Sequence, residues 1–308
     1  MITNTLHKIA KDFYAGQGYI HHHGLGKIIQ LGKSRERIVE TLKQVIYKQY
    51  YCLEEKEQHS LHTDPDFIGA LAGIFPENHY VENNWEVTGL LDGQKIKVSK
   101  YGICLYLDIQ KDTFLEEAPA VGQFIDVRFS CHFPNVSPGF YLYKGKSGGP
   151  DFEEGLSRLY CNLASKWALF FTEKLLHCLN ESNIAFQFKI LQALPDSQRV
   201  DNSVLYFSKK DKDKVISQLE KIYDKRYFKK AHSAFHLALY PGIGYAEEPS
   251  DNGNGKESFG THRSGIIAGS LYEQLIAAKS KEICVESINA AFLAKGIHPQ
   301  TVYREGIY

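Results

Sequence analysis

Between Lys95 and Ile109 the apolar residues recur at every second position, and this period restricts the fold more than any other feature. Ile96 and Val98 alternate with Lys95 and Lys97. Beyond Gly102, Ile103, Leu105, Leu107 and Ile109 alternate with Cys104, Tyr106 and Asp108. Successive side chains of a strand point to opposite faces, so this alternation predicts half-buried β structure. The same period returns in "QFIDVRF" and in "IAFQFKIL", where Ile184, Phe186, Phe188 and Ile190 share one face and Gln187 and Lys189 the other. "SPGFYLYKGKSGGP" reads as a turn, a short strand and a glycine loop, and "SVLYF" as an apolar strand.

Helical spacing occupies the gaps. Ile38, Val39, Leu42, Val45, Ile46 and Tyr50 predict an amphipathic helix over 35–53 behind a Ser34 cap. A short helical or irregular piece is expected over 65–75, and a long helix from the stripe Leu156, Leu159, Tyr160, Leu163, Trp167, Phe171, Leu175 and Cys178. Further helices are expected over 211–227, from about 262 after glycine-rich connections that include "LYPGIGYAEEP", and over 282–295. Residues 1–33 follow neither period. Strands and helices neither alternate strictly nor segregate. The expected class is therefore α+β, a mainly antiparallel sheet with packed helices. Residues 1–79 are expected to form an N-terminal helical region packed on a main domain of 80–308.

Lys+Arg and Asp+Glu both number 36, so global electrostatics offer nothing to a nucleic acid or an anionic membrane, and neither is expected as a partner. The irregularly spaced cysteines Cys52, Cys104, Cys131, Cys161, Cys178 and Cys284 contain no CxxC pair. They read as free thiols of a cytoplasmic protein without a structural metal. The start "MITNTLHKIAKDFY" lacks the continuous apolar stretch of a secretory signal.

Three motifs imitate sites. "YKGKSGG" ends like a phosphate loop, but the required first glycine falls on Phe140, with Gly139 one position out of register. His21, His22 and His23 are consecutive and cannot all converge on one metal ion from a regular element. The lysine-rich run over 209–230 is interrupted by acids and carries an ordinary apolar stripe.

Other basic residues stand in less ordinary positions. His262 and Arg263 begin a helix, where the macrodipole already disfavours cations, and a bound anion would resolve that conflict. Arg158 is placed at the start of the long helix, Lys189 on the polar face of a strand, and Arg199 two residues before Asp201. Each has an ordinary alternative. Arg158 can pair with Glu153 or Glu154, Arg199 with Asp201, Lys189 can be solvated on an edge strand, and His262 can cap.

"SPGFYLYKGKSGGP", "RLYCNL", "FQFKIL…RVDNSVLYF", "LYPGIGYAEEP" and "ESFGTHR" resemble, in this order, segments of the HopA-type bacterial effector family. That family is similar to the stand-alone lyases of class V lanthipeptide and thioamitide pathways. The resemblance covers about 80–308 and is most specific in "PGIGYAEEP" and "ESFGTHR". It implies a HopA-effector-like α+β fold. In the biosynthetic branch it implies a carbon–oxygen lyase that removes phosphate from phosphoserine or phosphothreonine to leave a dehydroamino acid. The matching positions are Arg158, Lys189, Arg199, Asp201, Ser258, His262 and Arg263. The implied partners are a phosphorylated precursor peptide and a kinase. Two departures concern the substrate mouth: His236-Leu237 stands where the family suggests Thr-Lys, and extra polar residues interrupt "EEPSDNGNGKESFG".

The chemistry fits these residue types. β-Elimination needs a base for the Cα proton and charge stabilisation at the departing phosphate, for which arginine forks are suited. The expected roles are Lys189 as base and His262 as acid, with the two interchangeable, and Arg158, Arg199 and Arg263 as phosphate ligands. Asp201 and Ser258 orient them, and no cofactor is required. The competing expectation is a non-catalytic effector that binds another protein.

Overall fold

The computed structural model describes residues 2–53, 63–91, 94–151, 153, 155–193, 199–249, 257–277 and 281–306, without the side chains of 281–284. Most of the polar connection expected after residue 53, the Gly-Asn-Gly loop before Ser258, and Glu154 lie outside these residues.

The chain opens with helix α1 (Ile2–Asp12) and a small antiparallel sheet of β1 (Phe13–Gly16), β2 (Tyr19–His22) and β3 (Gly26–Gln30). These strands are short and polar, so neither apolar period had room to develop. Helix α2 (Arg35–Ile46) starts on Ser34, whose Oγ accepts from the Arg37 N–H at 3.4 Å, and runs into a π-helical turn at Tyr47–Cys52. Helix α3 (Pro65–Ala72) starts on an Asp64 cap with proline at its first position.

A four-stranded lobe follows, from β4 (His79–Leu90), β5 (Lys95–Lys100), β6 (Ile103–Asp108), the one-turn α4 (Ile109–Asp112) and β7 (Phe124–Ser130). Its order is β6-β5-β4-β7, and Trp85, Val87, Ile96, Val98, Leu107, Ile109, Ile125 and Val127 form its own core. The alternation read from the sequence is that of this lobe.

The remaining strands form a seven-stranded antiparallel sheet in the order β13-β14-β10-β12-β11-β9-β8. They are β8 (His132–Ser137), β9 (Phe140–Lys144), β10 (Leu156–Cys161), β11 (Phe186–Leu191), β12 (Ser203–Ser208), β13 (Leu237–Tyr240) and β14 (Ile243–Glu247). One face carries Tyr143, Phe188, Leu205, Leu159 and Tyr245 in register and packs under α5 (Ala168–Glu181) and α6 (Lys212–Ile222). The other face carries Tyr160, Val204 and Ala246 and packs under α1, α2, α7 (Phe259–Ile276) and α8 (Lys281–Ala294). The architecture is α+β with antiparallel sheets and packed helices. No described helix is long and apolar enough to cross a membrane.

Two expectations need correction. The long helix from Leu156 does not exist as such: Leu156–Cys161 is β10, and helix begins only at Ala168. All six β10 residues are buried because helices cover both faces of the sheet, and a strand buried on both sides loses its alternation. Arg158 is consequently a strand residue and sits at no helix start. The glycine-rich "LYPGIGYAE" is not a mere connection, because β13 and β14 pair through it.

Candidate functional site

Cross-strand register places the first two basic residues together. On the face opposite α5 and α6, Lys144, Gln187, Tyr206, Arg158 and Ala246 form one row across β9, β11, β12, β10 and β14. The next row is Leu142, Lys189, Val204, Tyr160 and Gly244. Arg158 is thus directly opposite Tyr206, and Lys189 is its diagonal neighbour. The Arg158 guanidinium carbon lies 4.8 Å from the centre of the Tyr206 ring, and Lys189 Nζ lies 5.4 Å from it. Lys189 Nζ also lies 4.6 Å from the centre of the Phe140 ring. The helical layer covers Val204, Tyr160 and Ala246 but leaves Gln187, Lys189 and Tyr206 half-buried, so the site is the step where that layer ends. Strand β11 is internal, between β9 and β12, which removes the edge-strand explanation of Lys189.

Arg158 is only 7% exposed. Its Nη1 donates to Tyr160 Oη at 3.2 Å, Nη2 pairs with Glu248, and Nε has no hydrogen-bond partner. Neither Glu153 nor any other described acid of its own loop supplies the counter-charge. The Tyr160 hydroxyl is pushed up to about 12 by burial, against the opposing pull of Arg158, so it stays a neutral phenol.

Arg199 and Asp201 form the pair expected as the ordinary alternative. Nε donates to Oδ1 at 2.9 Å and Nη2 to Oδ2 at 2.8 Å, a bidentate fork, and Nη2 also reaches Tyr47 Oη at 3.2 Å. This pair joins Arg158 through stacked rings. Tyr47 lies 5.0 Å from Tyr51, and Tyr51 lies edge-on to Tyr160 at 6.1 Å.

Ser258, His262 and Arg263 approach the same aromatic group from α7. Ser258 caps the helix, with Oγ accepting from the Thr261 N–H at 3.3 Å. Phe259 then lies 6.3 Å from both Tyr51 and Tyr160. Arg263 stacks on Phe259 at 4.9 Å with an exposure of 0%, and its acceptors are the protein's own. Nε donates to Val302 O at 2.7 Å, Nη2 to Glu305 Oε1 at 2.5 Å, and Nη1 to His262 Nδ1 at 2.6 Å. The anion that offsets this cation at the helix start is therefore Glu305, where a bound phosphate was expected. Because His262 Nδ1 accepts from an arginine, its proton sits on Nε2. Burial and the Arg263 charge together push its pKa below the usual histidine value, so the ring is neutral.

The seven residues are therefore arranged around one cluster of Tyr47, Tyr51, Tyr160, Tyr206 and Phe259. Arg158 and Lys189 share its open side. Arg199 with Asp201 lies beyond Tyr47, and His262 with Arg263 lies beyond Phe259. No described contact joins Lys189 to His262.

Sequence reasoning passed over four participants. Tyr206 and Tyr160 looked like core aromatics, and only the register reveals them between cations. Glu248 was read as part of a glycine-rich connection. His236 was noted only as a departure. It is 8% exposed, stacks on Tyr160 at 3.9 Å, and neither ring nitrogen has a hydrogen-bond partner. Burial, with the nearby charges of His232 and Arg158, holds it far below the ordinary histidine pKa and so uncharged. Gly244 makes this stacking feasible, since a Cβ there would lie 2.7 Å from His236 Cβ.

An antiparallel sheet between two helical layers, with buried cations set among tyrosines, defines the class as an α+β protein carrying a local cationic site. The sequence model of the HopA1 effector protein family matches residues 131–304, and the chain belongs to that family. Its fold is shared by the effector protein from Pseudomonas syringae pv. tomato strain DC3000, at 17% identity and a TM-score of 0.55, over 98% of this chain and 96% of that one. An effector protein from Pseudomonas syringae pv. syringae strain 61 is similar at 14% identity and a TM-score of 0.48, over 88% and 95% of the two chains. No curated protein matches the sequence.

Proposed function

We propose that the protein is a phosphoserine/phosphothreonine lyase. It eliminates phosphate from a phosphorylated precursor peptide, supplied by a kinase, to leave a dehydroamino acid during maturation of a peptide natural product. The observation that carries the reading is the pairing of Arg158 and Lys189 around Tyr206 at the open step of the sheet, with Arg158 Nε unpartnered in a nine-tenths buried side chain. Buried polar groups are normally satisfied, so an orphaned guanidinium N–H beside a second cation favours an anionic ligand.

In the reaction Lys189 takes the Cα proton. The electrons of that C–H bond form the Cα=Cβ double bond, the Cβ–O bond breaks, and phosphate departs with its electron pair. Arg158 holds the leaving phosphate, whose charge grows as the bond breaks, and such groundwork by fixed donors is the largest common source of rate enhancement. His262 loses the acid role in this reading. A dianionic ester that left bare would depart as trianionic phosphate, so the leaving oxygen takes up a proton as the bond breaks. A ring held neutral beyond Phe259 is a poor donor for it. Lys189, which has just received the Cα proton on the Arg158 side of the cluster, supplies it. Arg199 keeps Tyr47 and Asp201 in place at the rim, and Arg263 anchors the C-terminal segment that supports His262. No cofactor enters the scheme.

The test couples phosphate release to thiol capture. A phosphoserine peptide incubated with the protein and excess thiol should release phosphate and gain a thiol adduct in equal amounts, because the alkene product adds thiols. Phosphate released without adduct would mean hydrolysis, and would sink the reading.

A second reading draws on the kind of relative found. The fold neighbours are effectors, and the four-stranded lobe exposes Tyr101, Ile103, Tyr106 and Phe124. In this reading the protein binds another protein through that lobe and performs no chemistry. The same incubation leaves the peptide untouched if it holds.

A further inference from the structure

Glu248 follows β14 directly. Its backbone N–H donates to Leu156 O at 2.9 Å, which extends the β14–β10 pairing one step beyond Ser157–Glu247. By alternation its side chain shares the face of Ala246 and Arg158, and there the carboxylate pairs with Arg158 Nη2. The side chain is 23% exposed, against 9% for that of Arg158. The other acid nearby is already used, since Glu247 pairs with Lys209 at 2.8 Å on the opposite face. His236 cannot serve as a counter-charge, and Tyr160 remains a neutral phenol. Glu248 is thus the carboxylate that neutralises Arg158 in the unliganded protein, and a nine-tenths buried guanidinium without one would be costly.

Building on the phosphate-site reading, we propose that Glu248 determines specificity. It is a resident carboxylate that an incoming ligand must displace from Arg158, so the site accepts phosphate esters and rejects carboxylates. Exchange of one carboxylate for another gains nothing at Arg158, and it leaves Glu248 displaced with no return. A phosphate ester brings two charges and three acceptor oxygens. It replaces Glu248 at Nη2, reaches the unpartnered Nε, and keeps a charge to place near Lys189 on the far side of Tyr206. Glu248, already a quarter exposed, turns to water. The site therefore distinguishes a phosphorylated residue from Asp or Glu at the same position in the peptide, which a plain cluster of arginine and lysine would bind with far less selectivity.

The test titrates two fluorescent peptides of one sequence into the full-length protein at about pH 8, above the second phosphate pKa. One carries a phosphonate isostere of phosphoserine, whose carbon bridge cannot be eliminated, and the other carries glutamate at that position. The wild type should prefer the phosphonate by about 100-fold or more. Glu248→Gln keeps the shape and removes the charge. It should bind the glutamate peptide about tenfold or more tighter than the wild type does, and so narrow the preference. Glu248→Asp retains the charge and should keep most of the preference, which separates a loss of discrimination from a loss of folding. A preference equally wide in wild type and Glu248→Gln, with phosphonate still bound, overturns the assignment of Glu248 while leaving the phosphate site standing. Failure of all three folded proteins to bind the phosphonate overturns the phosphate site itself.

Discussion

Arg263 donates to Val302, Glu305 and His262 from a fully buried position, whereas Lys189 meets only the ring faces of Phe140 and Tyr206 in its described contacts. The two cations should therefore respond differently to removal of charge. Arg263→Met leaves Glu305 and the Val302 carbonyl without their donor and should cost about 2–4 kcal/mol of stability, as do other broken buried pairs. Lys189→Met substitutes a similar apolar stem at a half-buried position and should stay within about 1 kcal/mol of wild type. Urea denaturation of both variants checks this, and a Lys189→Met loss as large as that of Arg263→Met would make Lys189 a structural residue. The types of the charged residues were legible in the sequence, and so was the Arg199–Asp201 pair. The partner that neutralises Arg263 was not, because Glu305 is 42 residues away in the chain.

Among the elements, alternation was legible where a strand has one open face; of the strands covered on both faces, β12 was legible as a short apolar run and β10 was not. Strands β5, β6, β7 and β11 alternate because one side of each meets a core and the other is more open. Strand β10 has no open side, so its leucines and tyrosine fell on helical spacing by coincidence. That single misreading moved Arg158 from a strand to a helix start, and hid its register with Tyr206. Helix α7 was legible, and Ser258 caps it, but the reason for Gly260 lay in packing. The first turn of α7 rests on the Tyr51 ring, and a Cβ at Gly260 would come within 2.5 Å of that ring. Gly260→Ala should therefore displace Tyr51, cost about 1–3 kcal/mol through overpacking, and disturb the Tyr51–Tyr160 contact beneath Arg158. Thermal unfolding together with near-ultraviolet circular dichroism checks it. A variant with unchanged tyrosine signal and stability would show that α7 and the π-helical turn are not tightly coupled.

At the scale of the molecule, the stretch matched by the family, 131–304, contains all seven candidate site residues. The tyrosines that complete the cluster, Tyr47 and Tyr51, come from the N-terminal segment outside that stretch. The lobe of β4–β7 also lies outside it and contributes no residue to the cluster. The solved effector structure covers 98% of the chain, so these outer segments belong to the shared architecture. Under the proposed function the N-terminal tyrosines wall a site whose cations stand on the sheet. The most direct measurement is the mass of a phosphoserine peptide after incubation with the purified protein and, in parallel, with Lys189→Met. The account predicts a product one water lighter than the never-phosphorylated peptide from the wild type, and untouched phosphopeptide from the variant. A phosphopeptide left intact by the wild type, or returned as plain serine, contradicts it.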